Sequence, residues 1–427
     1  MGLGLGLSSC GLSFRSKVKR SFEQNLLSPQ ILQQHFTGLA IYSPDQQKFI
    51  YDYQADKYFT PASNTKLLSF YTASQLLADS VPCFRYKFMG DSLIIKPLGD
   101  PTFLHPDFPT QLADSFLRQH KGPIFIDFAA NKVVAWAPGW AWEDYLYPFA
   151  AERSIFPLYG NLATISLPAA QNTASIRPNR LSLSPMQDNQ YQKIRRDRYS
   201  NTFYYPEQLL GTGWEVPIPF QTSEGLMLSL LGDTLHQEVQ PWMGTSLSDT
   251  LPIFYSRHID SLYQYLLLNS DNFFAEQLLL MCAATNLESV NSDKMIRYSL
   301  DSLLSPLPDP PRWVDGAGLS RYNLVSPRDL VWILNELYQE MDTSRLFSLL
   351  PAGGVSGTLE KYYLGEFGPY VFAKTGTLSN NHNLSGYLKA KSGRVLIFSI
   401  MQNHYSFSSS VVKPYIEKLL RDLYENY

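Results

Sequence analysis

Ser63 and Lys66 stand three residues apart in the run Pro61-Ala62-Ser63-Asn64-Thr65-Lys66. On a helix that spacing is about one turn, so the two side chains share a face within hydrogen-bonding reach. A serine hydroxyl attacks a carbonyl only when a base takes its proton, and lysine becomes such a base when burial and a neighbouring cation depress its pKa. A helix N-terminus would further favour the negative charge that develops. The same spacing also fits an N-cap serine followed by a surface lysine. Two other groups bear on the choice. Ser270-Asp271-Asn272 lies between two helical patterns, where serine and asparagine suit an interhelical turn and cap as well as they suit chemistry. Lys374-Thr375-Gly376-Thr377 closes a strand pattern that begins at Tyr370. There a lysine can meet a substrate carboxylate, and Gly376 lets a substrate backbone approach the strand edge. Standing alone, that run is an edge lysine before a glycine turn. Together, in this order and each on the element it requires, the three groups are far less easily put down to chance than any one of them.

The elements that must position these residues are legible in outline. Apolar residues from Asn64 to Leu77 recur at helical spacing closely enough to bury most of the helix. Upstream, residues 17–35 read as helix interrupted near Ser28-Pro29, followed by a β-hairpin, Gly38 to Tyr42 and Lys48 to Tyr53, around Ser43-Pro44-Asp45-Gln46. Downstream, helical periodicity runs from Ser256 to Cys282, and Ser326-Pro327 supplies an N-cap and a proline at the first helical position. Tyr370 to Thr375, Asn383 to Lys389 and Val395 to Met401 read as strands, with a last helix from about Val411 to Tyr424. Between Cys83 and Leu251 the pattern changes to short alternating runs with many prolines and a polar stretch, Ser184 to Asn201, expected to be an exposed loop. The expected organisation is a terminal segment 1–16, one domain in two pieces, 17–83 and 252–427, and a β-rich insertion of one or two small domains, 84–251.

SxxK opening a helix, SxN between helices and KTG ending a strand form the signature of serine β-lactamases and penicillin-binding proteins. The sequence resembles the low-molecular-mass class C penicillin-binding proteins, the D-alanyl-D-alanine carboxypeptidase and endopeptidase family. Further blocks carry the likeness: Gly99-Asp100-Pro101-Thr102, Gly139-Trp140-Ala141-Trp142-Glu143-Asp144, residues 315–327 (DGAGLSRYNLVSP) and residues 353–359 (GGVSGTL). The long stretch between Ser63 and Ser270 is the most discriminating feature, since class A β-lactamases hold these motifs much closer together. One departure is Phe149-Ala150-Ala151-Glu152, where the family usually has a small-residue turn containing proline. The resemblance implies an α+β fold: a serine β-lactamase/transpeptidase-like domain, an antiparallel sheet flanked by helices, with a large β-rich insertion. It implies that Ser63 attacks the carbonyl between two terminal D-alanines of a peptidoglycan stem peptide, with Lys66 as base. Ser270 would relay a proton to the leaving amine, Asn272 would position Lys66, and Lys374, Thr375 and Thr377 would hold the substrate carboxylate, with Gly376 between them. β-Lactams would acylate the same serine. A β-lactamase or esterase using the same trio, and a non-catalytic wall-binding protein, are the competing readings.

Composition sets the outer limits. With 427 residues, 44% hydrophobic, the chain has material for large cores, and 35 Lys plus Arg against 38 Asp plus Glu gives a net charge of −3. No basic run exceeds fragments such as Arg195-Arg196, so nucleic acid is not an expected partner. The three cysteines are far apart and lack metal-ligand spacing. No stretch has the length of a membrane span. Leu7-Ser8-Ser9-Cys10 resembles a bacterial lipobox, with a lipid anchor at Cys10 as one reading and a ragged translation start as the other. The substrate class requires export, so a periplasmic or cell-envelope location is expected, with a precursor carrying a longer hydrophobic start. His382 is expected in a surface loop. Trp140, Trp142 and Trp313 are expected as core or domain-interface aromatics rather than a saccharide platform, and Asp315 to Gly318 as a glycine-dependent turn supporting the cleft.

Overall fold

The computed structural model describes residues 13–128, 133–169, 171, 173–186, 193–206, 213–287 and 289–427. Cys10 and part of the Ser184 to Asn201 stretch lie outside the described residues. Contacts divide the chain into two compact units, one from the chain up to Asn64 with Leu307–Pro311 and Leu324–Tyr427, the other from Thr65–Pro306 and Arg312–Asn323.

The first unit is built on a five-stranded antiparallel sheet in the order Val371–Leu378, Asn381–Lys389, Val395–Asn403, Phe36–Ser43, Lys48–Tyr53. Its central strands are buried along almost their whole length, which requires cover on both faces. On one face Leu39, Ile41, Leu384, Phe398 and Ile400 meet Val18 and Phe22 of the Phe14–Phe22 helix and Ile416 and Leu420 of the Lys413–Asn426 helix. The other face carries Ser385, Tyr387 and Ser399, and the Tyr387 hydroxyl donates to the Leu334 carbonyl of the Pro327–Glu340 helix at 2.7 Å. That helix starts where the sequence places it. Ser326 caps it, Asp329 reaches back to the Ser326 amide, and Pro327 occupies the first turn. Asp329 also accepts from the Asp309 amide at 2.9 Å, which ties the 307–311 segment to the helix start.

The second unit has a mixed five-stranded sheet in the order Val239–Pro241, Ile124–Ile126, Ser92–Pro97, Ser80–Met89, Ile253–His258. Two three-stranded sheets accompany it, and the Leu112–Gln119 and Glu224–Leu235 helices contribute Leu117, Leu230 and Leu231 to the shared core. The region expected to be β-rich therefore holds strands and two helices. The Asn272–Asn286 helix is buried from Asn272 through Ala284, so it is a central core helix. The helical run expected from Ser256 begins later, because Ile253–His258 pairs as a strand with Ser80–Met89. Contacts draw the division between units elsewhere than the expected 83/84 and 251/252. The reason is physical: the Ser80–Met89 strand runs through the first position, its partner Ile253–His258 begins just past the second, and Gln277 of the core helix donates to Gly99 O at 2.9 Å and Ser154 O at 2.8 Å.

Ser326→Ala removes the cap of the Pro327–Glu340 helix while leaving the motifs untouched. The expected outcome is a loss of about 1 kcal/mol, read as a lowered denaturant midpoint, with penicillin labelling of the folded protein retained.

Candidate active site

Local structure explains how each motif is presented. Ala62–Thr65 forms a 3₁₀ turn that runs directly into the Lys66–Leu76 helix, and the Asn64 amide donates to Pro61 O at 3.1 Å. Ser63 is partly exposed, while its neighbours Ala62 and Asn64 are buried. Ser270 takes a left-handed conformation (φ 55°) that ends the Ile259–Asn269 helix. Asp271 then caps the next helix by accepting from the Phe274 amide at 2.8 Å, and Asn272 is that helix's first residue. SDN is thus both a helix–helix corner and the carrier of Asn272.

In the second unit the structure brings Lys66 and Asn272 together. The fully buried Lys66 Nζ donates to Asn272 Oδ1 and to the Ala317 carbonyl, each at 2.7 Å. Asn272 Nδ2 in turn donates to Phe149 O at 3.0 Å, which fixes which way the amide points. Burial pulls the Lys66 pKa down to about 8, against the opposing pull of the carboxylates of Asp271, Asp315 and Glu276. An amine with that pKa is neutral at pH 7 about 300-fold more often than an ordinary lysine.

Sequence reading missed the supports of this lysine. Glu276, one turn after Asn272 on the same helix, accepts from the Ala317 amide at 2.8 Å and pairs with the buried Arg153 at 3.2 Å. Burial raises its carboxyl to about 7. A glutamate four residues after Asn272 in an apolar run was the available signal. Asp315 accepts from Trp140 Nε1 at 2.8 Å, the Ser320 and Gly318 amides at 2.7 and 2.8 Å, and Asn323 Nδ2 at 2.7 Å. It thereby holds the turn that presents Ala317 O. The turn needs its glycines: Gly318 has φ +82°, and a Cβ on Gly316 would lie 2.7 Å from Ala275 O.

In the first unit the Lys374–Thr377 run sits within the Val371–Leu378 strand, paired with Ser385 through His382. Lys374 is buried and its Nζ donates to Thr375 O at 2.8 Å, while Thr375 Oγ1 donates to Thr358 Oγ1 at 2.9 Å. Gly376 packs against the turn that carries Ser63. A Cβ there would lie 2.3 Å from Pro61 O and 2.8 Å from the Asn64 amide, so glycine is demanded by that contact, a reason other than the expected approach of substrate. Buried polar bonds bind the same turn to the sheet: Asn64 Nδ2 to Ser385 Oγ at 2.8 Å, Asn383 Nδ2 to Thr60 O at 2.9 Å, and the Thr60 amide to Asn403 Oδ1 at 2.7 Å.

Two expectations are corrected. His382 is no surface-loop residue. It is buried in the Asn381–Lys389 strand, which the hairpin folds back beside Thr377, and its Nδ1 lies 2.8 Å from Thr377 Oγ1. Burial lowers its pKa to about 3, so the ring is neutral. Trp142 is no core aromatic, being 67% exposed, whereas Trp313 is buried with its Nε1 donating to Asp315 O at 2.7 Å.

A model of the D-Ala-D-Ala carboxypeptidase 3 (S13) family matches residues 18–209 and 227–423. The chain belongs to this family. Across nearly its whole length it is similar to the D-alanyl-D-alanine carboxypeptidase DacB of Haemophilus influenzae, 21% identical over 94% of this chain and 92% of the relative. It is also 26% identical to penicillin-sensitive carboxypeptidase A of Dictyostelium discoideum, over 39% of this chain and about a third (34%) of that relative. The fold is that of penicillin binding protein 4 from H. influenzae, with a TM-score of 0.74 at 19% identity, covering 96% and 99% of the two chains. A predatory endopeptidase from Bdellovibrio bacteriovorus is more distant, at a TM-score of 0.50 and 13% identity over 91% of this chain and 92% of that one. As an S13 member this chain is a serine-type D-Ala-D-Ala carboxypeptidase with the α+β penicillin-binding-protein fold.

The turn that holds Lys66 gives a direct test of this geometry. Gly316→Ala places a methyl against Ala275 O and must push Ala317 away from the lysine. It is expected to cost about 1–3 kcal/mol in denaturant unfolding and to slow penicillin acylation of the protein that remains folded. Unchanged stability and labelling would contradict the packing described.

Proposed function

We propose that Ser63 is the nucleophile of this S13 carboxypeptidase and Lys66 its general base. The observation that carries the reading is the buried Lys66 amine, held by Asn272 Oδ1 and Ala317 O and brought down to a pKa of about 8. In its neutral form Lys66 takes the Ser63 hydroxyl proton as Oγ attacks the carbonyl between the two terminal D-alanines of a peptidoglycan stem peptide. Backbone amides of Ser63 and Thr377 receive the oxyanion, and Ser270 passes a proton to the departing D-alanine amine. Water then hydrolyses the Ser63 ester. Lys374, Thr375 and Thr377 hold the substrate carboxylate, with the Thr377 hydroxyl oriented by neutral His382. β-Lactams acylate Ser63 as mimics of the same peptide end, as the penicillin-sensitive name of the Dictyostelium relative and the β-lactam complex of the H. influenzae protein suggest.

The same acyl step serves an endopeptidase, because a cross-link also has D-alanine on its acyl side and an amine on the other. Residues 84–251 act in this reading as an insertion in the catalytic domain. The enzyme works in the cell envelope, where its substrate is, and Cys10 carries its lipid anchor. Among the described residues no helix is long and apolar enough to cross a membrane.

Two measurements test this reading. Acylation by a fluorescent penicillin should vanish in Ser63→Ala, fall about 10²- to 10⁴-fold in Lys66→Arg, and in the wild type rise with pH through about 8 as Lys66 loses its proton. An adduct elsewhere than Ser63, or a rate falling over that pH range, defeats the assignment. For the anchor, wild-type protein expressed with its upstream in-frame codons should partition into detergent, and Cys10→Ala should stay aqueous; equal partitioning removes the anchor alone.

A further inference from the structure

Trp142 and Tyr199 are 67% and 80% exposed, far more than large aromatic side chains usually are. The Arg198 guanidinium lies over both rings, 4.7 Å from the Trp142 centroid and 5.6 Å from that of Tyr199. A little further along the same segment, Tyr147 and Phe149 stack with centroids 5.3 Å apart and planes 5° from parallel, and they too are 47% and 43% exposed.

This aromatic surface is rigidly mounted. Buried Arg196 donates to Pro219 O at 2.9 Å, Asp197 O at 3.1 Å and Ser200 O at 3.3 Å, and its guanidinium lies over the Tyr145 ring at 5.2 Å. The Asp197 carboxylate accepts from the Tyr199 amide at 2.8 Å, which sets the turn that holds Arg198 outward. The turn bearing Arg198 and Tyr199 is thus fastened to the one bearing Trp142. The segment also reaches the catalytic machinery, since Phe149 O accepts from Asn272, the residue that binds Lys66.

We propose that Trp142, Arg198 and Tyr199, extended by the Tyr147–Phe149 pair, form a saccharide-binding surface that engages the glycan strands of peptidoglycan. The proposal rests on the reading above that peptidoglycan is the substrate. Aromatic rings offer flat apolar faces to the C–H faces of sugar rings, and Arg198 offers a fork of donors to glycan hydroxyls and acyl carbonyls. A guanidinium also complements the carboxylates that an acidic amino-sugar polymer with peptide arms carries. The backbone that carries these rings is fastened by Arg196 to the Pro219, Asp197 and Ser200 carbonyls and to the Tyr145 ring, so binding has mainly side-chain freedom left to order, which suits a weak, repeated contact with a polymer. The surface therefore favours polymeric over soluble substrate without touching the reacting atoms.

The test uses the full chain and two readouts. Wild-type protein should pellet with purified insoluble sacculi, and glycan strands stripped of their peptides by an amidase should compete for it. Trp142→Ala and Tyr199→Ala combined should weaken pelleting about tenfold, while Trp142→Phe retains most of it. Penicillin acylation and hydrolysis of a soluble pentapeptide should stay within about twofold of wild type in these variants, which also reports that they are folded. Undiminished pelleting of the double variant, no competition by stripped glycan, or no pelleting of the wild type would each overturn the proposal. Failure of the wild type to be acylated would instead strike the catalytic reading, because pelleting does not depend on turnover.

Discussion

An amine taken wholly out of water must be held by something, and what holds it decides whether it can act as a base. A carboxylate in direct contact would stabilise the ammonium and keep the proton on. Lys66 donates to the neutral oxygens Asn272 Oδ1 and Ala317 O, and the charges of Asp271, Asp315 and Glu276 also act on it. Each carboxylate has its own work. Asp271 caps a helix, Asp315 gathers four donors around a turn, and Glu276 takes Arg153 and the Ala317 amide. Their negative charge offsets part of the burial penalty, so the pKa settles at about 8 rather than falling further. At that value the lysine is neutral often enough at physiological pH to accept a proton, and basic enough to want one.

Much of the remaining architecture follows from the need to bring a backbone carbonyl to that amine. Ala317 O can reach it only if the 315–318 turn lies hard against the Asn272–Asn286 helix, and Gly316 allows this by leaving no Cβ to meet Ala275 O. The Ser69 hydroxyl, one turn after Lys66, donates to Gly316 O at 2.8 Å and pins the other side of the turn. Glycine at 376 answers the same demand in the first unit, where a strand must lie against the carbonyl of Pro61. Both sites are steric necessities of backbone approach, and the polar residues around them satisfy the groups that such approach buries.

How much of this could be read beforehand depends on the range of the interaction. The helix that opens just after Ser63, the SDN corner and the Ser326 cap are relations within one turn of chain, and local pattern alone reports them. The hairpin of residues 36–53 was legible for the same reason. Ala317 O had no signature, because a backbone carbonyl looks the same at every residue. Arg153 lies 123 residues from Glu276 along the chain, and only folding sets the two side by side. His382 follows the KTG run closely, which suggested a loop, yet the Leu378–Asn381 hairpin returns it as a buried partner of Thr377. Trp142 failed in the opposite direction. Aromatic residues are good core material by type, and its exposure depends on a short 3₁₀ turn that the sequence does not announce. The pairing of Ser80–Met89 with Ile253–His258, which ties the two ends of the 84–251 stretch together, is likewise a long-range fact with no local signature.

The division of labour has a consequence for specificity. In the mechanism proposed above, Lys66 serves formation of the same D-alanyl ester whether the departing amine is a free D-alanine or the side chain of a neighbouring stem. Nothing in that chemistry distinguishes a terminal residue from a cross-link, since the two differ only beyond the scissile nitrogen. Selection between them must therefore come from surfaces away from the reacting atoms, where binding energy can favour one polymer geometry over another before the ester forms. The exposed aromatic segment ending at Phe149 meets that requirement. Its rings face solvent, and its last carbonyl holds Asn272, so the segment stands one hydrogen bond from the residue that binds Lys66.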